Sequence, residues 1–125
     1  MLRALILSGV LSLAFAAPAL AAGTRDAAAC KAMQATLAPR QTEIADLTAA
    51  RDAAAELTEV SGEAWEDVEI HRLASKAHAA AADEAKAAYE AAKAKLARDE
   101  LALQDAVVRF NDDVAAFNTR CTSKG

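Results

Sequence analysis

Two cysteines, two prolines, four glycines, two histidines and five aromatic residues are all that this chain of 125 residues holds of those types. Each scarcity excludes something. No Cys-x-x-Cys is present, which argues against a dithiol redox catalyst. Beyond the first 21 residues the aromatics are Trp65, Tyr89, Phe110 and Phe117, too few for a broad globular core but enough for a narrow helix-helix seam. No stretch alternates apolar and polar residues as a half-buried strand does. With so little Pro and Gly, no linker divides the chain into domains. No Ser/His/Asp or Cys/His arrangement is visible, and Ala-rich helices offer no dry concave site to hold one. The sequence therefore names no catalytic residue, metal ligand set or cofactor and points away from an enzyme.

What is abundant is alanine, 37 residues of it. The hydrophobic fraction of 54% is inflated by these small side chains, which bury little area each. Charged residues make up 26%, with a net charge of -4. An acidic chain is a poor candidate for nucleic acid or anionic lipid.

The N-terminus carries the pattern of a cleaved secretory signal peptide over residues 1–21. Arg3 supplies the positive start, and Ala4 to Phe15 is apolar apart from Ser8, Gly9 and Ser12. Pro18 breaks the run, and Ala19-Leu20-Ala21 fits a small-x-small cleavage site. The apolar run is too short for a stable anchor, so no membrane attachment is expected after cleavage. The segment before Cys30 is a poor lipidation signal, because Arg25 and Asp26 interrupt it. A mature chain from Ala22 to Gly125 is one helical domain, expected in the bacterial periplasm or outside the cell.

In that compartment Cys30 and Cys121 are expected to pair, within one chain rather than between two. They stand thirteen heptads apart. A frame with a at Cys30 and d at Met33 passes through Leu37, Arg40, Ile44, Leu47, Arg51, Ala54, Thr58, Ser61, Trp65 and Val68. Continued through the chain, it fades and then recovers at Tyr89, Leu96, Leu103, Val107, Phe110, Val114 and Phe117. A turn at Gly62 would leave the second helix overshooting the first. A turn near Ser75 brings Cys30 to Cys121, Met33 to Phe117, Leu37 to Val114, Ile44 to Val107 and Val60 to Tyr89, and sets Arg51 opposite Glu100. The expected fold is thus all-α: a long antiparallel, coiled-coil-like hairpin closed by one disulfide.

Two features compete with that reading. Gly62, after Ser61, reads as the strongest internal break. It supports an alternative three-helix bundle over about 26–59, 63–79 and 83–120, with Asp83 capping the last helix. A single long helix in an oligomer, with the disulfide between chains, is a further alternative. Pro39 should kink the first helix or end a short one near Leu37. Lys95-Asp99, Asp105-Arg109 and Arg109-Asp113 lie four apart and suit an exposed helix.

Two groups stand out for function. Trp65, Val68, Ile70 and Leu73 form the most apolar patch outside the seam, a candidate interaction surface. His71 and His78 are seven apart, so they share a helix face but sit about 10 Å from each other along the axis, too far to hold one metal without moving, while Asp67 and His71, four apart, could make half of a metal site. With Glu63 and Asp67 they read as a solvated stripe near the tip. The function expected is an exported structural or interaction protein: a coiled-coil spacer or adaptor that self-associates or binds a protein partner in the envelope. The alternative is a holdase-like chaperone or an inhibitor that grips clients with helical arms.

Overall fold

The computed structural model describes residues 24–122. The expected signal peptide over 1–21 and the start at Ala22 lie outside the described residues. The chain forms two helices, α1 (Thr24–Glu69) and α2 (Lys76–Cys121), of 46 residues each and packed against one another. At 1.5 Å per residue each is about 69 Å long. Cys30 and Cys121 are joined, with their Cα atoms 5.6 Å apart. The fold is an all-α helical hairpin closed at its open end by one disulfide. No described helix is long and apolar enough to cross a membrane.

The turn falls between the helices, over residues 70–75. His71, Arg72 and Ala74 each donate a backbone N–H to the carbonyl three residues earlier, so the end of α1 tightens before the chain reverses. Ser75 is extended and caps α2, its Oγ accepting the His78 N–H at 3.2 Å. This explains how a segment without Gly or Pro reverses direction. A serine cap starts the second helix, and no residue in the turn has a positive φ.

Neither expected breaker breaks α1. Pro39 lies within the helix. Gly62 is helical too, and its missing side chain has a different use. A Cβ there would meet the Tyr89 ring at 3.1 Å, tighter than an ordinary contact. Gly62 is a seat for Tyr89, not the end of a helix. The three-helix alternative fails for this reason, and Asp83, its proposed cap, is instead an interior residue of α2.

Along α1 the seam follows the expected frame: every a and d position from Cys30 to Val68 is buried or half-buried. In α2 the d positions hold, while the a positions Lys86, Lys93, Glu100 and Val107 are exposed and the residue before each is buried or half-buried; Val114 and Cys121, also a positions, stay half-buried. Ala106 is 1% exposed, whereas Val107 beside it is 37% exposed. The repeat in α2 runs Ala82, Ala85, Tyr89, Ala92, Leu96, Asp99, Leu103, Ala106, Phe110, Asp113 and Phe117, all buried or half-buried. Large residues alternate with small or acidic ones. The six d positions from Ala82 to Phe117 keep their places through the turn; the change is confined to the second seam residue of each heptad, where alanine or aspartate packs instead.

Two of the expected cross-helix pairings fall on exposed residues: Val107 is 37% exposed, and Val60 is 55% exposed while Gly62 faces Tyr89. Glu100 is exposed and does not pair with Arg51. Arg51 Nε instead lies 3.0 Å from Asp52 Oδ1 without a hydrogen bond, and that nitrogen is buried. Lys95 does pair with Asp99. Arg109 and Asp113, expected to pair along α2, reach across to α1. Arg109 meets Glu43 at 3.3 Å, Asp113 meets Arg40 at 3.3 Å, and Arg40 meets Glu43 at 3.4 Å, forming one charge network.

The buried core among the described residues is Leu37, Ala54, Ala82, Ala92, Ala106 and Phe117. Four of these six are alanines, so the shaft is held by close backbone approach and little apolar area. On the chain-entropy model, a disulfide closing a loop of this length adds about 4–5 kcal/mol.

Candidate functional site

The chemically richest part of the molecule is its turn end. The residues there come from the last two turns of α1, the turn itself and the first part of α2. Trp65 and Tyr89 stack across the seam, ring centres 5.7 Å apart and planes inclined by 23°. Gly62 lets the Tyr89 ring approach this closely. Lys86 Nζ sits 5.7 Å from the centre of the Trp65 ring and Lys93 Nζ sits 4.7 Å from that of Tyr89, so a cation caps each ring.

The stack is tied to a charge chain. Trp65 Nε1 donates to Glu69 Oε2 at 3.1 Å. Arg72 grips both oxygens of Glu69 at 2.8 Å and donates to Asp83 Oδ1 at 2.7 Å. This fork fixes the turn to both helices. The hydrogen bonds from Arg72 hold the Glu69 carboxyl below its ordinary value against desolvation, the next largest effect, and the Trp65 hydrogen bond lowers it further. Arg72 is raised for the reciprocal reason, its bonds to Glu69 and Asp83. Glu90 lies 2.8 Å from Lys93, and its hydrogen bond raises the Lys93 ammonium above its ordinary value.

The four residues read from the sequence as one apolar patch fall into two places. Trp65 and Val68 are half-buried at the seam. Ile70 and Leu73 lie in the turn, 78% and 98% exposed. Both stand out from the turn that Arg72 fastens to the two helices.

The histidines depart from expectation. His71 and His78 have ring centres 6.2 Å apart, edge to face. The turn lies between them, so they do not share one helix and the separation of about 10 Å along a helix axis does not apply. Ser75 Oγ is 2.8 Å from His78 Nδ1 and also accepts the His78 backbone N–H. Glu63 and Asp67 remain on the exposed surface of α1.

Sequence reasoning missed the Tyr89–Gly62 seat and the proximity of the histidines. The signal for the first was present: Gly62 and Tyr89 lie 13 and 14 residues from Ser75, and Cys30 and Cys121 lie 45 and 46 from it, so both pairs keep one register. A glycine opposite an aromatic in a proposed register is a candidate socket, not only a break.

A shallow open hollow of about 360 Å³ lies on α1, lined by Ala35, Thr36, Pro39, Arg40 and Glu43. Its Thr36 hydroxyl donates to the Met33 carbonyl, and its two charged residues belong to the interhelical network.

In comparisons with protein families, characterised proteins and solved structures, nothing matches this chain.

Proposed function

We propose that this chain is an exported helical spacer or adaptor of the cell envelope, acting in the periplasm or after secretion, that presents its turn end to a protein partner. The observation that carries the reading is the exposed apex: Ile70 and Leu73 stand out at 78% and 98% exposure on a turn fastened to both helices by Arg72. Burying two such side chains is favourable by about 1.5–3 kcal/mol each, which gives a partner a reason to bind there. The joined cysteines are compatible with an oxidising compartment.

The second reading is a holdase-like protein or an inhibitor that grips clients along its arms. It draws on Leu57, Val60, Leu101 and Val108, all more than half exposed on the shaft. The two readings separate in one experiment. A photo-crosslinking residue is placed at Leu73 or at Leu101 in the producing cells, and a thermally aggregating client is followed alongside. The adaptor reading predicts one adduct of defined mass from Leu73, none from Leu101, and no protection of the client. Adducts of many masses from Leu101, with suppressed aggregation, would reject it in favour of the holdase.

A further inference from the structure

We propose that His71 and His78 form a two-imidazole chelate for a divalent transition ion of the copper, nickel and zinc class at the turn end of the hairpin. The inference rests on three observations about the same few residues. The first is separation. Two imidazoles that bind one ion at about 2 Å with a tetrahedral angle have ring centres about 5 Å apart. The rings of His71 and His78 are 6.2 Å apart, about 1 Å wider.

The second is freedom at the rings with a fixed backbone beneath. Both side chains are exposed, so no packed neighbour resists the small rotation that closes the gap. Their backbones are held. His71 donates to the Val68 carbonyl at 3.1 Å and accepts from Ala74 at 2.9 Å, and His78 lies in the serine-capped first turn of α2. The third is the partner of the other ring nitrogen. Ser75 Oγ stands 2.8 Å from His78 Nδ1. When Nδ1–H donates to that oxygen, the free lone pair is on Nε2, the arrangement that outer partners impose on metal-bound histidines.

No group of three or more His, Cys, Asp or Glu side chains able to hold a metal is present among the described residues. The site is therefore open, two positions filled by protein and the rest by water. Imidazole donors select copper, nickel and zinc over magnesium and calcium, and the general order of affinity puts copper first.

The test uses the disulfide-closed chain purified without a histidine tag. Zn²⁺, Ni²⁺ and Cu²⁺ are titrated by calorimetry in a non-chelating buffer, with Mg²⁺ as the control. The expected result is one ion per chain, copper tightest and magnesium silent. His71→Ala and His78→Ala should each weaken Zn²⁺ binding by about tenfold or more, and Ser75→Ala by less. Zn²⁺ should also shift the ring resonances of both histidines in the parent. Melting without metal should be unchanged in His71→Ala and at most slightly lowered in His78→Ala, which loses its ring hydrogen bond to Ser75, and this separates loss of the site from loss of the fold. The proposal is overturned if either single variant binds Zn²⁺ as the parent does, or if the variant lacking both histidines retains the parent's affinity.

Discussion

The two ends of this hairpin are closed by different means. At the open end a covalent bond joins Cys30 to Cys121, Leu37 and Phe117 are buried nearby, and Arg40, Glu43, Arg109 and Asp113 interlock across the seam. At the turn end the helices are already joined by the chain. There the register is set by shape and directed bonds: Tyr89 over Gly62, Trp65 against Tyr89, and Arg72 between Glu69 and Asp83. Between the ends the buried residues Ala54 and Ala92 are small. Alanine contacts permit close approach, yet they discriminate weakly between one register and its neighbours. The contrast teaches that specificity in an Ala-rich hairpin resides in a few locks near its ends, and the shaft follows.

The largest expected effect comes from opening the covalent end. Cys30→Ser should cost about 4–5 kcal/mol, on the entropy model for a loop of this length. Chemical denaturation under oxidising conditions measures it. Hydrogen exchange on the same variant should show faster exchange near Leu37 and Phe117, with the amides around Gly62 and Tyr89 losing protection last. Uniform loss along the chain would mean that the turn end holds no independent lock.

Next comes the aromatic seat. Gly62→Leu should destabilise by about 1–3 kcal/mol, because the side chain enters space that the Tyr89 ring occupies. Thermal melting reads this, and Trp65 fluorescence should change with it as the stack is displaced. A neutral or stabilising result would restore Gly62 to the role of a weak point in the helix.

Smaller effects sharpen the register. Arg51→Leu should stabilise by about 1 kcal/mol, since it removes a buried nitrogen without a hydrogen bond and adds apolar area to a seam position. Combined with Glu100→Leu the effect should be additive, because the two charges do not meet. A cycle on Arg40 and Asp113, by contrast, should show coupling of about 0.2–1 kcal/mol, the scale of a partly exposed ion pair.

The smallest effect is on pH. The Glu69 carboxyl is lowered in the folded state, chiefly by its hydrogen bonds from Arg72. A lowered folded value means that its stabilisation is present above the ordinary carboxylate range and is lost as pH falls through the folded value. Acid titration of Trp65 fluorescence should therefore show a step that Glu69→Gln lacks. An identical step in that variant would assign the transition to another group.

Much of this architecture was legible in the residues. The spacing of Cys30 and Cys121, the frame from Cys30 to Val68 and the failure of a Gly62 turn to align the ends pointed together to a hairpin reversing near Ser75. The errors have a common origin. Val107 and Glu100 were placed at the seam by extending one heptad frame along α2, where Ala106 and Asp99 beside them take the seam positions. A preference for bulk over alanine reinforced the mistake, since Ala106 and Ala92 are the buried residues. Gly62 was read by intrinsic propensity, which the surrounding seam overrides within a long helix, and Pro39 lies inside α1 instead of ending a short helix near Leu37. The histidines were separated by treating residues 71 to 78 as one helix, although they straddle the reversal. The candidate surface was half legible. Its apolar residues could be named, but whether a side chain at the apex faces the seam or solvent depends on the geometry of the turn.

The most direct measurement is a nuclear Overhauser spectrum of the oxidised protein, with Gly62 and Tyr89 assigned. A strong cross-peak between the Gly62 Hα protons and the Tyr89 ring is predicted, accompanied by ring contacts between Trp65 and Tyr89. Tyr89 contacts to Val60 in place of Gly62 would contradict the account, because the helices would then pair in a different register and the lock at the turn end would not exist.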